Sequence, residues 1–388
     1  MSTIAMFSTY APSEGFGGPA RIFHARNVLE SDGHTVIHVV IQANHAPGDA
    51  RRSDIVRLVE RPHGAPVDHI YADLALARRA AADVRLHESL ITKLGSQGVE
   101  LIVLEQPFLV DVVERVSSRL GVPVVYSCHN IEYRLLRELE RFQPDWKRSK
   151  LCSSHVRELE AKAVELSVSV TTLAETDRQL LSDEFGRDST VVPNGSALAD
   201  GPVRRWGEQG DFAFVGSAYW PNIDGFARIA TPSLAFLPPT TRIHVAGSAS
   251  HEILRNKAID RRHSVNASRL TLHGFVDSDT LARLLGSANA VIVPVFIGEG
   301  SNLKSADALA SGAPVIMTEK ATRGYEDVIA ADPEGVAVVA TAGEFRAAMA
   351  TRVANPERAE PVGLQRRGQL RWVERLAPLK DVVRRSSR

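Results

Sequence analysis

One stretch of the chain, SANAVIVPVFIGEGSNLKSADALASGAPVIMT (287–318), sets an acid, a base and a second acid around one helix start: Glu299, Lys304 and Asp307. Residue types of this kind suit a phosphorylated, hydroxyl-rich ligand. Backbone amides and a lysine attract phosphate, and carboxylates accept hydrogen bonds from hydroxyl groups. The flanking sequence says how they are placed. AVIVPVFI (290–297) is a near-continuous apolar run, as expected of a strand buried on both faces of a parallel sheet. Gly298 and Gly300 flank Glu299, so the backbone can turn sharply and a ligand can approach it closely. Ser301 is the expected N-cap. Leu303, Ala306, Leu309 and Ala310 form an apolar stripe at helical spacing. Gly312 stands where a left-handed C′ residue is wanted, and Pro314 prevents continuation. The helix therefore aims its free amides and its partial positive charge at the carboxyl end of a buried strand, with Lys304 on its first turn.

The separation of Glu299 from Asp307 by seven residues resembles the Glu-x7-Glu signature of retaining, nucleotide-sugar-dependent glycosyltransferases of the group 1 family (family four), which have the GT-B fold. The resemblance implies roles by position. Glu299 faces the donor sugar and Asp307 the ribose, while Lys304 and the loop amides of Gly300, Ser301, Asn302 and Leu303 hold the diphosphate. Asp307 departs from the pattern, being one methylene shorter than the usual Glu. The spacing alone also occurs on solvated helix surfaces; the glycine loop after a buried strand is what gives it meaning.

Further segments extend the resemblance. After the first strand, YAPSEGFGGPARIF contains Gly15, Gly17 and Gly18, with Pro19 suited to a first helical position and Arg21 on the first turn. The glycines resemble the family loop near the donor diphosphate and the acceptor. They do not match the dinucleotide fingerprint G-x-G-x-x-G. HNIEYRLLRELE begins at His129 and resembles the family's H-N-x-E segment, which assigns His129 to orienting the donor sugar or the acceptor. Glu105, ending LIVLE, is expected to touch the acceptor or to accept backbone bonds. VPNG (192–195) resembles V-P-N-G-V and reads as a structural turn. FAFVGSAYWPNIDGF places Gly216 and Ser217 near phosphate, but Ser217 and Asn222 stand where many relatives have Arg and Lys. More of the phosphate charge would then fall on Lys304. In LHGFVDSDTLARLLG, Phe275 and Val276 are candidates for the nucleobase. Asp277 and Asp279 are read as the cap and first turn of a helix and not as a metal motif, and no resident metal is expected. Arg323 and Gly324 resemble a loop near the donor.

The chain has 388 residues, which suits two domains of about 180 residues each. Acidic and basic residues balance at 46 each, so no global field points to nucleic acid. Two cysteines, Cys128 and Cys152, lack metal-ligand spacing and make no disulfide framework, as fits a reducing cytoplasm. The opening MSTIAMFSTYAPSEG lacks a signal-peptide pattern, and no apolar run reaches membrane-span length. The basic end LKDVVRRSSR is expected to be a surface helix end, with weak attraction to an anionic membrane face as the other reading.

Strand-like and helix-like segments alternate throughout, which predicts α/β layers with parallel sheets. Strands are expected at 3–8, 35–41, 100–105, 123–128, 169–174 and 189–194, then at 212–217, 241–247, 270–275, 290–296 and 313–318. Helices are expected at 19–31, 71–94, 132–166 and around 364–376. SALADGPVRRWGEQG (196–210) reads as the linker. The expected organisation is two Rossmann-like doubly wound domains facing a central cleft: 1–200 on the acceptor side and 201–365 on the donor side. A tail, 366–388, returns to the first domain. The implied activity is transfer of a sugar from a nucleoside-diphosphate sugar, used as co-substrate, to a glycan, lipid-linked or small-molecule acceptor. No other cofactor is expected. A nucleotide-sugar epimerase of the same fold and a non-catalytic binding subunit are the alternatives, and a dehydrogenase lacks its fingerprint.

Overall fold

The computed structural model describes residues 1–14, 17–43, 54–59, 69–142, 150–201, 203, 210–298, 300–355 and 361–387. The chain divides into two compact units, Met1–Pro193 with Leu376–Arg388, and Asn194–Arg375.

In the first unit the strands are β1 (Thr3–Ser8), β2 (Thr35–Ala43), β3 (Ile55–Val59), β4 (Leu101–Glu105), β5 (Val124–Ser127), β6 (Ser169–Thr172) and β7 (Thr190–Val191). Among the described residues they form one parallel sheet in the order β3-β2-β1-β4-β5-β6-β7. Phe7 lies beside Val39 on one side and Leu104 on the other. The order reverses between β1 and β4, and the carboxyl ends of strands at such a switch point are where doubly wound sheets bind ligands. Left-handed glycines stop the helices before the next strand. Gly121 (φ 68°) ends Val110–Leu120, and Gly186 (φ 64°) ends Glu175–Phe185.

The second unit repeats the plan with β8 (Phe212–Val215), β9 (Ile243–Ala246), β10 (Leu270–Gly274), β11 (Ala290–Val293), β12 (Val315–Thr318) and β13 (Val336–Val339). Their parallel order is β10-β9-β8-β11-β12-β13, with the switch point between β8 and β11. The sheet is buried on both faces. Ala290 and Ile292 of β11 join Phe212, Phe214 and Phe226 in one cluster, while Val291 and Val293 join Val315 and Leu309 in the other. This explains why these strands read as unbroken apolar runs.

Several elements differ from expectation. The helix expected over 71–94 is two, His69–Ala82 and Val84–Ser96, because the Asp83 side chain leaves the helical path and accepts from Leu86 N to cap the second. The helix expected over 132–166 is Glu132–Phe142 and Lys150–Leu166, and 143–149 lie outside the described residues. β3 and β13 were not expected; both are short edge strands, IVRLV and VAVV, and mostly apolar runs this short carry no period that tells strand from helix. The first part of the expected linker is ordered in the second unit. Ser196 caps a short 3-10 turn, Ala197–Ala199, and Arg367 donates to the carbonyls of Leu198 and Gly201. Residues 202 and 204–209 of that segment lie outside the description.

The tail helix Ala377–Ser386 belongs to the first unit and packs on the helix Gly17–Ser31 and on β5, β6 and β7. Arg384 of the basic tail is exposed and pairs with Asp32 of the same unit at 2.6 Å. Among the described residues no helix is long and apolar enough to cross a membrane.

Gly225 in the helix Trp220–Ala230 lets that helix lie against the end of β11, since a Cβ there would come 1.8 Å from Pro294 O. We expect Gly225→Ala to destabilise the protein by about 3 kcal/mol or more, measured as a lowered denaturant midpoint. An unchanged midpoint would show that the helix can shift at no cost.

Candidate functional site

At the switch point of the second unit the chain leaves β11 through a loop with Gly298 at φ 121° and Gly300 at φ 74°, conformations that L side chains rarely adopt. Glu299 lies outside the described residues. The helix that follows is Leu303–Ala310, and Gly312 (φ 77°) turns the chain out of it. Its N-cap is Asn302 and not Ser301, and Asn302 makes no side-chain capping bond. The first amides of a helix have no intrahelical acceptor, so those of Leu303 and Lys304 are not used by the helix itself.

Two hydroxyls beside this helix start, Ser301 Oγ and Ser305 Oγ, are buried without a hydrogen-bond partner. Such a group costs about 1–3 kcal/mol, so it calls for an explanation. Lys304 donates to Asn222 Oδ1, and Asn222 Nδ2 in turn donates to Ser217 O at 3.0 Å and Ser217 Oγ at 3.1 Å. No carboxylate among the described residues pairs with Lys304, and burial alone pulls its ammonium down to about 7. The two positions where relatives carry basic residues are thus built into the bracket that holds the lysine. Asp307, on the next turn, accepts from Ser196 Oγ at 2.7 Å. Burial pushes its carboxyl up to about 6, against the opposing pull of that hydrogen bond.

Gly216 N bonds Ala246 O, and a Cβ on Gly247 would meet Gly216 O at 2.3 Å, so the ends of β8 and β9 approach closely. Ser217 is exposed beside it. Phe275 is 68% exposed just beyond β10, with Val276 half-buried. Asp277 accepts from Thr280 N and caps the helix Ser278–Ser287, as expected.

Four residues of this half escaped the sequence reading. Asn194 Nδ2 donates to Ser301 O at 3.3 Å, and Ser196 holds Asp307. Tyr325 donates its hydroxyl to Asn302 O at 3.1 Å. Arg375 lies over the Tyr325 ring at 5.8 Å and bonds Gly324 O and, at 2.7 Å, Asp327. Asn194 and Ser196 lie in the turn read as purely structural. The available signal was Ser196 itself, a polar residue in the apolar final place of V-P-N-G-V.

In the first unit the switch point gathers Tyr10, Glu105 and His129. His129 Nε2 lies 2.6 Å from Glu105 Oε2, and its Nδ1 lies 3.5 Å from the Tyr10 hydroxyl. Burial pushes the Glu105 carboxyl up, but the bond to His129 and the charges of His129 and Arg21 outweigh it and hold the group low. Among the described residues, Glu105 accepts a bond from the His129 side chain. Arg21 is buried, donating to Pro193 O at 3.4 Å. Gly17 (φ 64°) is exposed, and a Cβ on Gly18 would meet the Tyr10 hydroxyl at 2.1 Å. Gly18 therefore leaves room for the ring that reaches His129. Gln106 has φ 98°, the one such non-glycine backbone among the described residues, directly after Glu105. Strain of that kind persists only where surrounding structure holds it. Nothing in the sequence marked it.

Behind His129 lies a buried acidic pair. Glu160 accepts from the amides of Glu132 (3.0 Å) and Tyr133 (3.3 Å), the first of the helix Glu132–Phe142, and from Tyr126 Oη at 3.3 Å. Asn130 donates to Glu132 Oε1 at 3.0 Å. Burial pushes both carboxyls up, and the charge of Glu132 raises Glu160 further. The segment 128–133 that carries His129 is thus pinned from beneath by groups on another helix.

Residues 209–355 match the model of the family described as glycosyl transferases group 1. The second unit is therefore similar to a group 1 glycosyl transferase domain, and the chain as a whole has the GT-B fold. Sucrose-phosphate synthase from Thermosynechococcus elongatus superposes with a TM-score of 0.72 at 15% identity, over 99% of both chains. Anabaena HepE in complex with UDP and glucose superposes with a TM-score of 0.66 at 11% identity, over 100% of this chain and 99% of that one. The catalytic domain of starch synthase IV from Arabidopsis thaliana, bound to ADP and acarbose, gives 0.65 at 12% identity over 100% and 99%. No curated protein matches the sequence.

The raised Glu160 carboxyl sets a sign. The folded state holds a proton there that the unfolded chain releases near the ordinary carboxylate pKa, so the stability it contributes is complete in acid and is lost as pH rises towards about 8. Glu160→Gln, which stays neutral but gives up one of the two acceptor oxygens, should show a flatter dependence of melting temperature on pH above about pH 5 than the wild type. A variant whose melting temperature falls with pH as steeply as the wild type's would contradict a neutral Glu160.

Proposed function

We propose that the chain transfers a sugar from a nucleoside-diphosphate sugar to an acceptor hydroxyl, with retention of anomeric configuration and without a resident metal. The observation that carries this reading is Lys304. Among the described residues it is a half-buried cation with a neutral amide for its partner, and it stands beside two buried unpartnered hydroxyls at a helix start on a switch-point loop. A diphosphate supplies what each of these groups lacks: negative charge for the lysine, and acceptors for the amides and for the hydroxyls.

Transfer requires a nucleoside diphosphate to depart as positive charge builds on the sugar. Lys304 and the helix amides stabilise the departing anion, an electrostatic task of the oxyanion-hole type. Glu299, between the two glycines, grips the sugar hydroxyls, and Asp307 takes the ribose. Phe275 and Val276 edge the base. In the first unit His129, oriented by Glu105, positions the ring or the acceptor, with Arg21 biasing the charge of that pair. UDP and ADP are bound by two of the structural neighbours, which supports a nucleotide ligand of this kind.

The test is thermal stabilisation of the wild type, Lys304→Ala and Glu299→Ala by UDP-, GDP-, ADP- and dTDP-sugars. One nucleotide class should raise the wild-type melting temperature by several degrees, with about a hundredfold loss of affinity in Lys304→Ala. Glu299→Ala should still respond to the free diphosphate but lose the added response to the sugar. No shift with any of the four at millimolar ligand would overturn the reading.

A further inference from the structure

The carboxylate of Asp307 is held by a residue from a distant part of the chain. Ser196 is buried, at 1% exposure. Its backbone N–H donates to Leu370 O at 2.8 Å, and a Cβ on the preceding Gly195 would meet Trp372 Cα at 2.8 Å, so this turn is clamped in place. The hydroxyl oxygen accepts from Leu198 N at 3.1 Å. That leaves its single proton to be donated, and Asp307 Oδ1 receives it at 2.7 Å. Among the described residues, Ser196 is the hydrogen-bond partner of the Asp307 carboxylate, through Oδ1.

This pair joins two departures from the family pattern. Asp307 is shorter than the usual Glu, and Ser196 stands where V-P-N-G-V has valine. A shorter carboxylate reaches less far, and a hydroxyl on the adjoining turn fixes the one rotamer it adopts. Resting on the donor-site reading above, we propose that Ser196 is a positioning residue. It locks the Asp307 carboxylate so that Oδ2 and the remaining lone pair of Oδ1 meet the cis-diol of a ribose, and it thereby sets the preference for ribonucleotide over 2′-deoxyribonucleotide donors. A carboxylate held in one rotamer pays no ordering cost on binding, and one diol hydroxyl removed leaves a buried carboxylate oxygen without its donor.

The experiment measures dissociation constants for UDP, GDP and ADP and for their 2′-deoxy counterparts, on the wild type, Ser196→Ala and Ser196→Cys. Cysteine is close in volume and a weak donor, so it keeps the test open if alanine unsettles the turn. The wild type should prefer the ribose form of its nucleotide about tenfold. Ser196→Ala should bring the ratio near one, with Ser196→Cys intermediate. The hydrogen bond from Ser196 lowers the Asp307 pKa, so in Ser196→Cys, a weaker donor, the remaining preference should fade at a higher pH than in the wild type as the solution is acidified. A role confined to holding the turn would weaken both nucleotides alike and leave ratio and midpoint unmoved. Wild type and both variants discriminating equally would overturn the proposal while leaving the donor site intact. A wild type that binds none of the six nucleotides would overturn the donor reading and the proposal together.

Discussion

A lysine ammonium whose partner among the described residues is a neutral amide is the arrangement on which the second unit turns. Lys304 sits where burial already works against its charge, and the bracket of Asn222 and Ser217 holds it without neutralising it. Everything around it follows from keeping that charge available. The strand β11 must be buried on both faces to anchor the loop. Two glycines must turn the backbone so that the helix start points outward from the sheet end. Tyr325 and Arg375 must brace Asn302 at the helix entrance. A pairing carboxylate at any of these places would satisfy the lysine and remove the attraction for phosphate.

The first unit solves a related problem with the opposite means. Its histidine is satisfied by the Glu105 carboxylate, and the segment that carries it rests on Glu160, which accepts the first amides of the following helix. The cost is a pair of buried acids and a strained backbone at Gln106. Both lie beside His129 and Glu105, which is where doubly wound sheets tolerate strain because ligands bind there.

The strands were legible because a sheet covered on both faces demands continuous apolar runs, and β1, β8, β11 and β12 obey. β3 and β13 were not, since mostly apolar runs of five and four residues carry no period that tells strand from helix. Capping chemistry was legible where it is local, as at Asp277 and Gly312. It misled at Ser301, whose hydroxyl is left unbonded while Asn302 takes the cap position. Lys304 and Asp307 announced themselves by type and spacing within one helix. The groups that hold this helix start and its carboxylate did not, because they arrive from far along the chain: Asn194 across 107 positions to Ser301, and Ser196 across 111 to Asp307. Periodicity reports on neighbours in one element, and these braces join different ones.

The most direct test of the account is titration calorimetry of UDP, GDP and ADP at about pH 8, in two buffers of different ionisation enthalpy. Free Lys304, with its pKa near 7, is mostly neutral there, and a bound diphosphate must raise that pKa. The affinity gained from the charge is therefore full below the free pKa and fades as pH rises through the bound one. The account predicts uptake of nearly one proton per nucleotide bound by the wild type. In Lys304→Met that uptake should vanish and the affinity should fall. Binding that takes up no proton, with equal affinity in Lys304→Met, would contradict it.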